Sequence, residues 1–269
     1  MPTLTTTNGT SLYYEVHGAG PPLLLVHAIS AGAAMWRPQV EHFAATHRVI
    51  TFDAPGVGRS GPIRGSRGTL PAMAADVVDL LDHLAVARAA VCGVSFGGIL
   101  AQQLAVTHPE RIERLAIVDS YSDSRPTSLG RAAWLASVYA GAWSNLLPTR
   151  VLRSIIERQY RRWPEAASVL GEAVSRLRGV DALKTRLAIN LVNFVPGLRS
   201  ADFPVLAVVG ADSWPRSGTF TAELRRAVPR TAVVRIPDST DPSSLCRPEL
   251  FNEILARFLR DEPVGTAPG

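Results

Sequence analysis

The sequence predicts a doubly wound α/β fold: a mostly parallel sheet covered by helices, with a helical segment inserted late in the sheet. Three observations carry this. Short, continuous apolar runs, the pattern of strands buried on both faces, alternate with stretches of helical period. One such run leads through Val91-Cys92-Gly93-Val94-Ser95-Phe96-Gly97-Gly98 straight into an apolar, Ala-rich helical pattern. Between about residues 121 and 199 the strand-like runs stop, and amphipathic helical patterns follow one another, broken at Pro148, Pro164 and Gly179.

In chain order, residues 3–7 and 11–17 alternate around Asn8-Gly9, a hairpin signal. Pro22–His27 is the first buried strand, Trp36–Ala45 has helical spacing, and Arg48–Asp53 is a second strand. Leu70–Leu84 repeats apolar residues at Met73, Val77, Leu80, Leu81 and Leu84, one face of a helix. Ala89–Val94 is the strand before Ser95, Gly97–Thr107 a helix, and Arg114–Asp119 the next strand. After the helical stretch the alternation resumes with strand Val205–Gly210, helix Thr219–Ala227, strand Ala232–Pro237 and helix Pro248–Leu259. The expected organisation is a core of residues 1–120 and 200–262, a cap of 121–199 over the sheet's carboxyl edge, and a Pro/Gly-rich disordered tail, 263–269.

Bulk properties narrow the function. At 269 residues, 46% of them hydrophobic, the chain is long enough for one large core with an insertion. Its apolar runs are interrupted within about ten residues, short of the ~20 a membrane span needs. Residues 1–20 lack a basic start followed by an apolar stretch, so no secretory signal is expected. Cys92 and Cys246 are too few for a disulfide framework, and reduced thiols fit a cytoplasmic protein. The net charge of +5 comes almost wholly from arginine, Lys184 being the only lysine, and is densest over Arg150–Arg162. No nucleic-acid-binding motif accompanies that patch, so neither nucleic acid nor membrane is an expected partner.

The run Gly93-Val94-Ser95-Phe96-Gly97 reads G-x-S-x-G. A strand turning sharply into a helix lifts Ser95 over the sheet, and glycines at 93 and 97 keep Cβ atoms out of the tight turn. Together with Asp53-Ala54-Pro55-Gly56-Val57-Gly58-Arg59-Ser60, which looks like a D-x-x-G-x-G-x-S loop, with His27-Ala28-Ile29 and with Trp36, it makes the chain resemble the α/β-hydrolase superfamily over nearly its full length. The resemblance implies an oxyanion hole from the backbone N–H groups of Ile29 and Phe96, and a triad running Ser, acid, His.

Downstream the chain departs from that pattern. The family's ending resembles Ile236-Pro237 … Arg247-Pro248-Glu249, and in that register Asp241 stands where the histidine is expected. All six histidines, His17, His27, His42, His47, His83 and His108, precede residue 109. The expected acid position holds Ser213, with Asp212 one residue early, while some relatives carry the acid where this chain has Asp119. A carboxylate near ~3.9 is a weak base beside an imidazole near ~6.5, though burial can raise it.

The candidate catalytic residues are therefore Ser95, Asp241 and Asp119, with Ile29 and Phe96 as the oxyanion hole and His27 and Asp212 as possible supports. Trp36, Trp134, Tyr139, Trp143 and Phe194 are candidates for an apolar substrate pocket. Neither metal nor cofactor is expected, and the partner is a small-molecule substrate on a monomer or homodimer. With the usual base missing, the leading expectation is non-hydrolytic chemistry on an apolar molecule: cyclisation, elimination, decarboxylation or isomerisation, as in the altered-triad members of this superfamily that serve natural-product biosynthesis. The alternatives are an esterase or lactonase with a rewired base, Asp241 or His27, and a non-catalytic receptor or pseudoenzyme.

Overall fold

The structure, a computed structural model, describes residues 2–65, 69–214 and 216–264. Thr3–Thr5 (β1) and Ser11–His17 (β2) form the antiparallel hairpin, with Gly9 at φ 73° in its turn. Pro22–Val26 (β3) is followed by a 3-10 turn, Ala33–Trp36, a short helix, Arg37–Phe43 (α1), and Arg48–Phe52 (β4). The helix expected over Trp36–Ala45 appears as α1, one residue shorter at its start and two at its end, and Pro38 sits in its first turn, where the missing N–H costs nothing. Thr69–His83 (α2), Ala89–Val94 (β5), Phe96–Thr107 (α3) and Ile112–Val118 (β6) complete the first half.

Helices then fill the interval before the next strand: Leu129–Ala142 (α4), Thr149–Gln159 (α5), Pro164–Ser175 (α6), Gly179–Ala188 (α7) and Val195–Ser200 (α8). Val205–Gly210 (β7), Ser217–Ala227 (α9), Ala232–Ile236 (β8), a short helix Ser243–Cys246 (α10) and Pro248–Leu259 (α11) end the described chain. Neither α10 nor its position was foreseen, because four residues after a Pro242 carry no helical period. Of the expected tail 263–269, residues 265–269 lie outside the described residues, and Val264 packs against the core.

The strands form one eight-stranded sheet in the order β1-β2-β4-β3-β5-β6-β7-β8. Only the pairings made by β2 are antiparallel. Residues of the central strands alternate between two apolar clusters. Leu24, Val26, Val91 and Ile117 face α2, α3 and α9, whereas Leu23, Leu25, Cys92 and Val118 face Phe43 of α1 and Phe251 of α11. That two-sided burial is why these strands read as unbroken apolar runs. The register Val26↔Gly93 and Val94↔Val118 brings the carboxyl ends of β3, β5 and β6 level, so their following loops share one edge.

Contact between α3 and the sheet depends on two missing side chains. A Cβ on Gly97 would lie 2.0 Å from the Val26 carbonyl oxygen, and one on Gly93 would lie 2.1 Å from that of Gly97. Both obstacles are backbone, which cannot swing aside. Among the described residues, no helix is long and apolar enough to cross a membrane.

Replacing Gly97 by Ala should therefore destabilise the protein by at least the ~1–3 kcal/mol typical of overpacking. Gly141, on exposed α4 with nothing within 4 Å of an added Cβ, offers the internal control. Gly141→Ala should stabilise by about 0.4–1 kcal/mol, and chemical denaturation of the two variants checks both signs.

Candidate active site

The turn between β5 and α3 holds Ser95 at φ 55°, ψ −117°, a conformation an L-residue adopts only under constraint. The constraints are visible. Ser95 N–H donates to the Val118 carbonyl at 2.8 Å, and the Ser120 hydroxyl donates to the Ser95 carbonyl at 2.9 Å. Beside the turn, the N–H groups of Phe96, first residue of α3, and Ile29, in the loop after β3, donate to no protein group among the described residues. Ser30 at φ 60° turns that loop over, and both Ile29 and Phe96 line the cavity above Ser95. Two unspent amides at one wall are the raw material of an oxyanion hole.

The Ser95 hydroxyl donates to Asp241 Oδ2 at 2.8 Å. Asp241 sits in the loop after β8, and the surface it keeps opens onto the cavity. Burial, followed by the negative charge of Asp119, pushes its carboxyl up to about 8, against the smaller downward pull of Ser95 and Arg186. Asp119, at the end of β6, is itself almost fully buried, at 2% exposure. It accepts from Gly210 N–H at 2.8 Å, from the Ser213 hydroxyl at 2.9 Å and from Ser243 N–H at 2.7 Å. One carboxylate thereby ties the ends of β6 and β7 to α10, two residues beyond Asp241. Ser213, at the position where a carboxylate was expected, serves Asp119 as a donor.

The helical insertion grips the same loop from above. Tyr160 donates to the Asp241 carbonyl, Trp163 Nε1 to the Asp238 carbonyl at 3.1 Å, and Arg162 pairs with Asp238 and, at 3.1 Å, with Asp212. Sequence reasoning missed Tyr160 as a site residue. Its only signal was a tyrosine at the end of an amphipathic helix.

The remaining candidates divide. His27 has no exposed surface; its Nε2 accepts from Ala54 N–H at 2.9 Å, so the ring's proton sits on Nδ1, 2.6 Å from the Ala28 carbonyl. Burial holds this imidazole below its ordinary range, and with both nitrogens engaged it braces the two loops and is not free to act as a base on Ser95. Asp212 lies at the cavity's rim, its side chain 49% exposed and paired with Arg162. Asp53 accepts from Ala33 N–H at 2.7 Å and from Arg59 N–H at 2.8 Å, and the Ser60 hydroxyl accepts from Tyr13 N–H at 2.9 Å and donates to the Asp53 carbonyl, so both brace the loops beside β4.

Of the five expected pocket aromatics, only Trp134 lines the cavity. Trp36 is fully buried on the far face of the sheet against Phe251, and Phe194 is core beneath the insertion. Trp143 is 64% exposed, and Tyr139, on the same helix as Trp134, is not part of the lining. Helical phase separates them, and a length of amphipathic sequence does not tell which face looks inward. The cavity measures about 590 Å³, the size of a small-molecule site. Trp214 stacks on Trp134 at 5.9 Å, with Tyr121 edge-on to both, an aromatic wall that no motif announced. No cluster of metal-ligating side chains occurs among the described residues.

Known proteins share this architecture. The chain is 32% identical over 260 residues to a protein of Azorhizobium caulinodans named carbamate hydrolase RutD, covering 92% of this chain and 94% of that one. It is 25% identical over 274 residues to 3-oxoadipate enol-lactonase 2 of Acinetobacter baylyi, covering 95% of each chain. The crystal structure of the enol-lactonase from Burkholderia xenovorans LB400 superposes with a TM-score of 0.83 over 96% of this chain and all of that one, at 24% identity. These relatives correct the leading expectation drawn from the missing histidine. They are named for hydrolysis, and none of them is named as a cyclase or a lyase, so hydrolysis is favoured over the non-hydrolytic chemistry expected from the sequence. Residues 21–240 match the alpha/beta hydrolase fold family, and the chain belongs to that family as an enzyme of its fold.

Proposed function

We propose that the protein is a hydrolase of small esters or lactones in which Asp241 replaces histidine as the base acting on Ser95. The observation that carries this is the 2.8 Å hydrogen bond from the Ser95 hydroxyl to Asp241, within reach of the two free amides of Ile29 and Phe96. The relatives' names add support: a carbamate and an enol-lactone both present an acyl carbon bonded to a heteroatom that leaves as it is hydrolysed.

In the reaction, ionised Asp241 takes the Ser95 proton as Oγ bonds to the acyl carbon, and the carbonyl electrons move onto an oxygen held by the Ile29 and Phe96 N–H groups. Collapse of that intermediate breaks the bond to the leaving oxygen, which takes the proton back from Asp241. Water then repeats the sequence: Asp241 removes its proton, its oxygen bonds to the acyl carbon, and Ser95 leaves with the proton as the acid is released. An ordinary aspartate is too weakly basic for this at neutral pH. Burial beside Asp119 corrects the mismatch by bringing the base near the working pH, where proton transfer is most effective. The triad therefore departs from the usual Ser-His-acid pattern in its base while keeping a buried carboxylate, Asp119, behind it.

Because only ionised Asp241 can accept the proton, kcat/KM on 4-nitrophenyl esters should rise with pH, reach half its plateau near about 8 and level above it. Asp241→Asn should lower kcat about 10²–10⁴-fold and abolish that limb. Ser95→Ala should end labelling by a fluorophosphonate probe; labelling that survives, or a pH profile without the limb, would sink the reading.

Stability should carry the same signature. The folded protein holds the Asp241 proton more tightly than the unfolded chain, so unfolding releases a proton between about pH 4 and pH 8 and stability declines as pH rises across that window. Asn cannot titrate. Thermal melts of Asp241→Asn should come closest to the wild type at about pH 4 and exceed it by a margin that grows up to about pH 8.

A further inference from the structure

The charged lining of the cavity is unequal. Besides the carboxyl groups of Asp119, Asp212 and Asp241, one cation, Arg186 of α7, faces the space. The carboxylates have partners: three donors hold Asp119, Ser95 donates to Asp241, and Arg162 pairs with Asp212. The Arg186 guanidinium makes neither a hydrogen bond nor an ion pair among the described residues, although the residue is half-buried and its backbone carbonyl is tied to Asn190. Arg186 acts on Asp241 only at a distance, so its half-buried N–H donors are left without a direct partner, a costly arrangement unless a bound anion supplies one.

A second observation lies outside the cavity. An open, shallower depression lined by Arg158, Arg161, Arg162 and Trp163 adjoins it, the two sharing Gln159, Asp212 and Thr240. Arg162 is spoken for by Asp212 and Asp238, but Arg158 and Arg161 are exposed and pair with no acid among the described residues. A ligand approaching the cavity from this side crosses two uncommitted positive charges before it meets a third within.

We propose that the substrate is an anion: an ester or lactone whose acyl side carries a carboxylate, which Arg186 binds while Ser95 faces the scissile carbonyl and Arg158 and Arg161 draw the molecule in. The planar guanidinium matches a carboxylate with two parallel N–H donors, fixing the substrate's direction as well as its charge. The exposed pair acts at longer range, raising the encounter rate in a way that salt screens. The aromatic wall of Trp134, Trp214 and Tyr121 then packs the carbon chain between the two ends. This inference rests on the hydrolytic reading for the role of Ser95 but not for the anion site itself.

The test compares mono-4-nitrophenyl succinate with 4-nitrophenyl butyrate, esters of similar length that differ in the terminal carboxylate. The wild type should prefer the succinate by about 10–100-fold in kcat/KM, the value of a charge-assisted pair. The preference should shrink as salt rises from about 0.02 M to about 0.5 M. Arg186→Gln should reduce the succinate-to-butyrate ratio at least about tenfold, mainly through KM, with Arg186→Lys recovering part of it. The double variant Arg158→Gln/Arg161→Gln should flatten the salt dependence. A wild type without anionic preference, or an Arg186→Gln variant with an unchanged ratio, overturns the proposal while leaving hydrolysis intact. If neither ester is turned over, calorimetric titration with glutarate separates the two ideas. Binding lost in Arg186→Gln upholds the anion site and dismisses hydrolysis; no binding to the wild type dismisses the anion site.

Discussion

Two carboxyl groups are held in one buried corner where the sheet's strand ends meet the loop after β8. Asp119 is held by three donors drawn from β7, the turn after it and the start of α10, so it cannot move away from the loop that carries Asp241. Asp241 cannot move away either, being joined to Ser95 through its side chain and to Tyr160 through its carbonyl. Burial first, and then the negative charge of Asp119, make Asp241 hold its proton well above the ordinary carboxyl range. The consequence is an aspartate with the basicity usually reserved for an imidazole.

The elbow and the corner divide the work of constraint between backbone and side chains. The strained Ser95 backbone is sustained by the close approach of Gly93, Gly97 and the Val26 carbonyl, contacts that any side chain there would abolish. His27 belongs to the same scaffold. Its ring links the Ala28 carbonyl to the Ala54 amide and so fixes the loop that presents Ile29. The insertion contributes in turn, since Tyr160, Arg162 and Trp163 hold the Asp241 loop while Arg186, Trp134 and Tyr121 shape the space above it. Residues of the helical insertion and of the sheet's loops thus line one cavity.

The missing histidine was legible, but its meaning was not. A sequence in which Asp replaces the base reads as one that has abandoned hydrolysis, because the ordinary acidity of a carboxyl is the only value a sequence can assign. The relatives named as hydrolases overturned that reading, and the surroundings of Asp241, which push its carboxyl up to about 8, show how a carboxylate gains basicity beyond its ordinary value.

What the sequence determined by itself is whatever repeats along the chain or is local to a motif. Strands buried on both faces, helices with one apolar stripe and the elbow at Ser95 all belong there, since each depends on neighbours within a turn or two. Only the tertiary structure decided which aromatics enclose the cavity, that Asp212 sits at the rim, that Arg186 faces the cavity with no side-chain partner among the described residues, and that Asp119 and Asp241 line the same space. Ser95 and Asp241 stand 146 residues apart in the chain, and the acidity of one and the hydrogen bond of the other exist only once the sheet has brought its strand ends to a common edge.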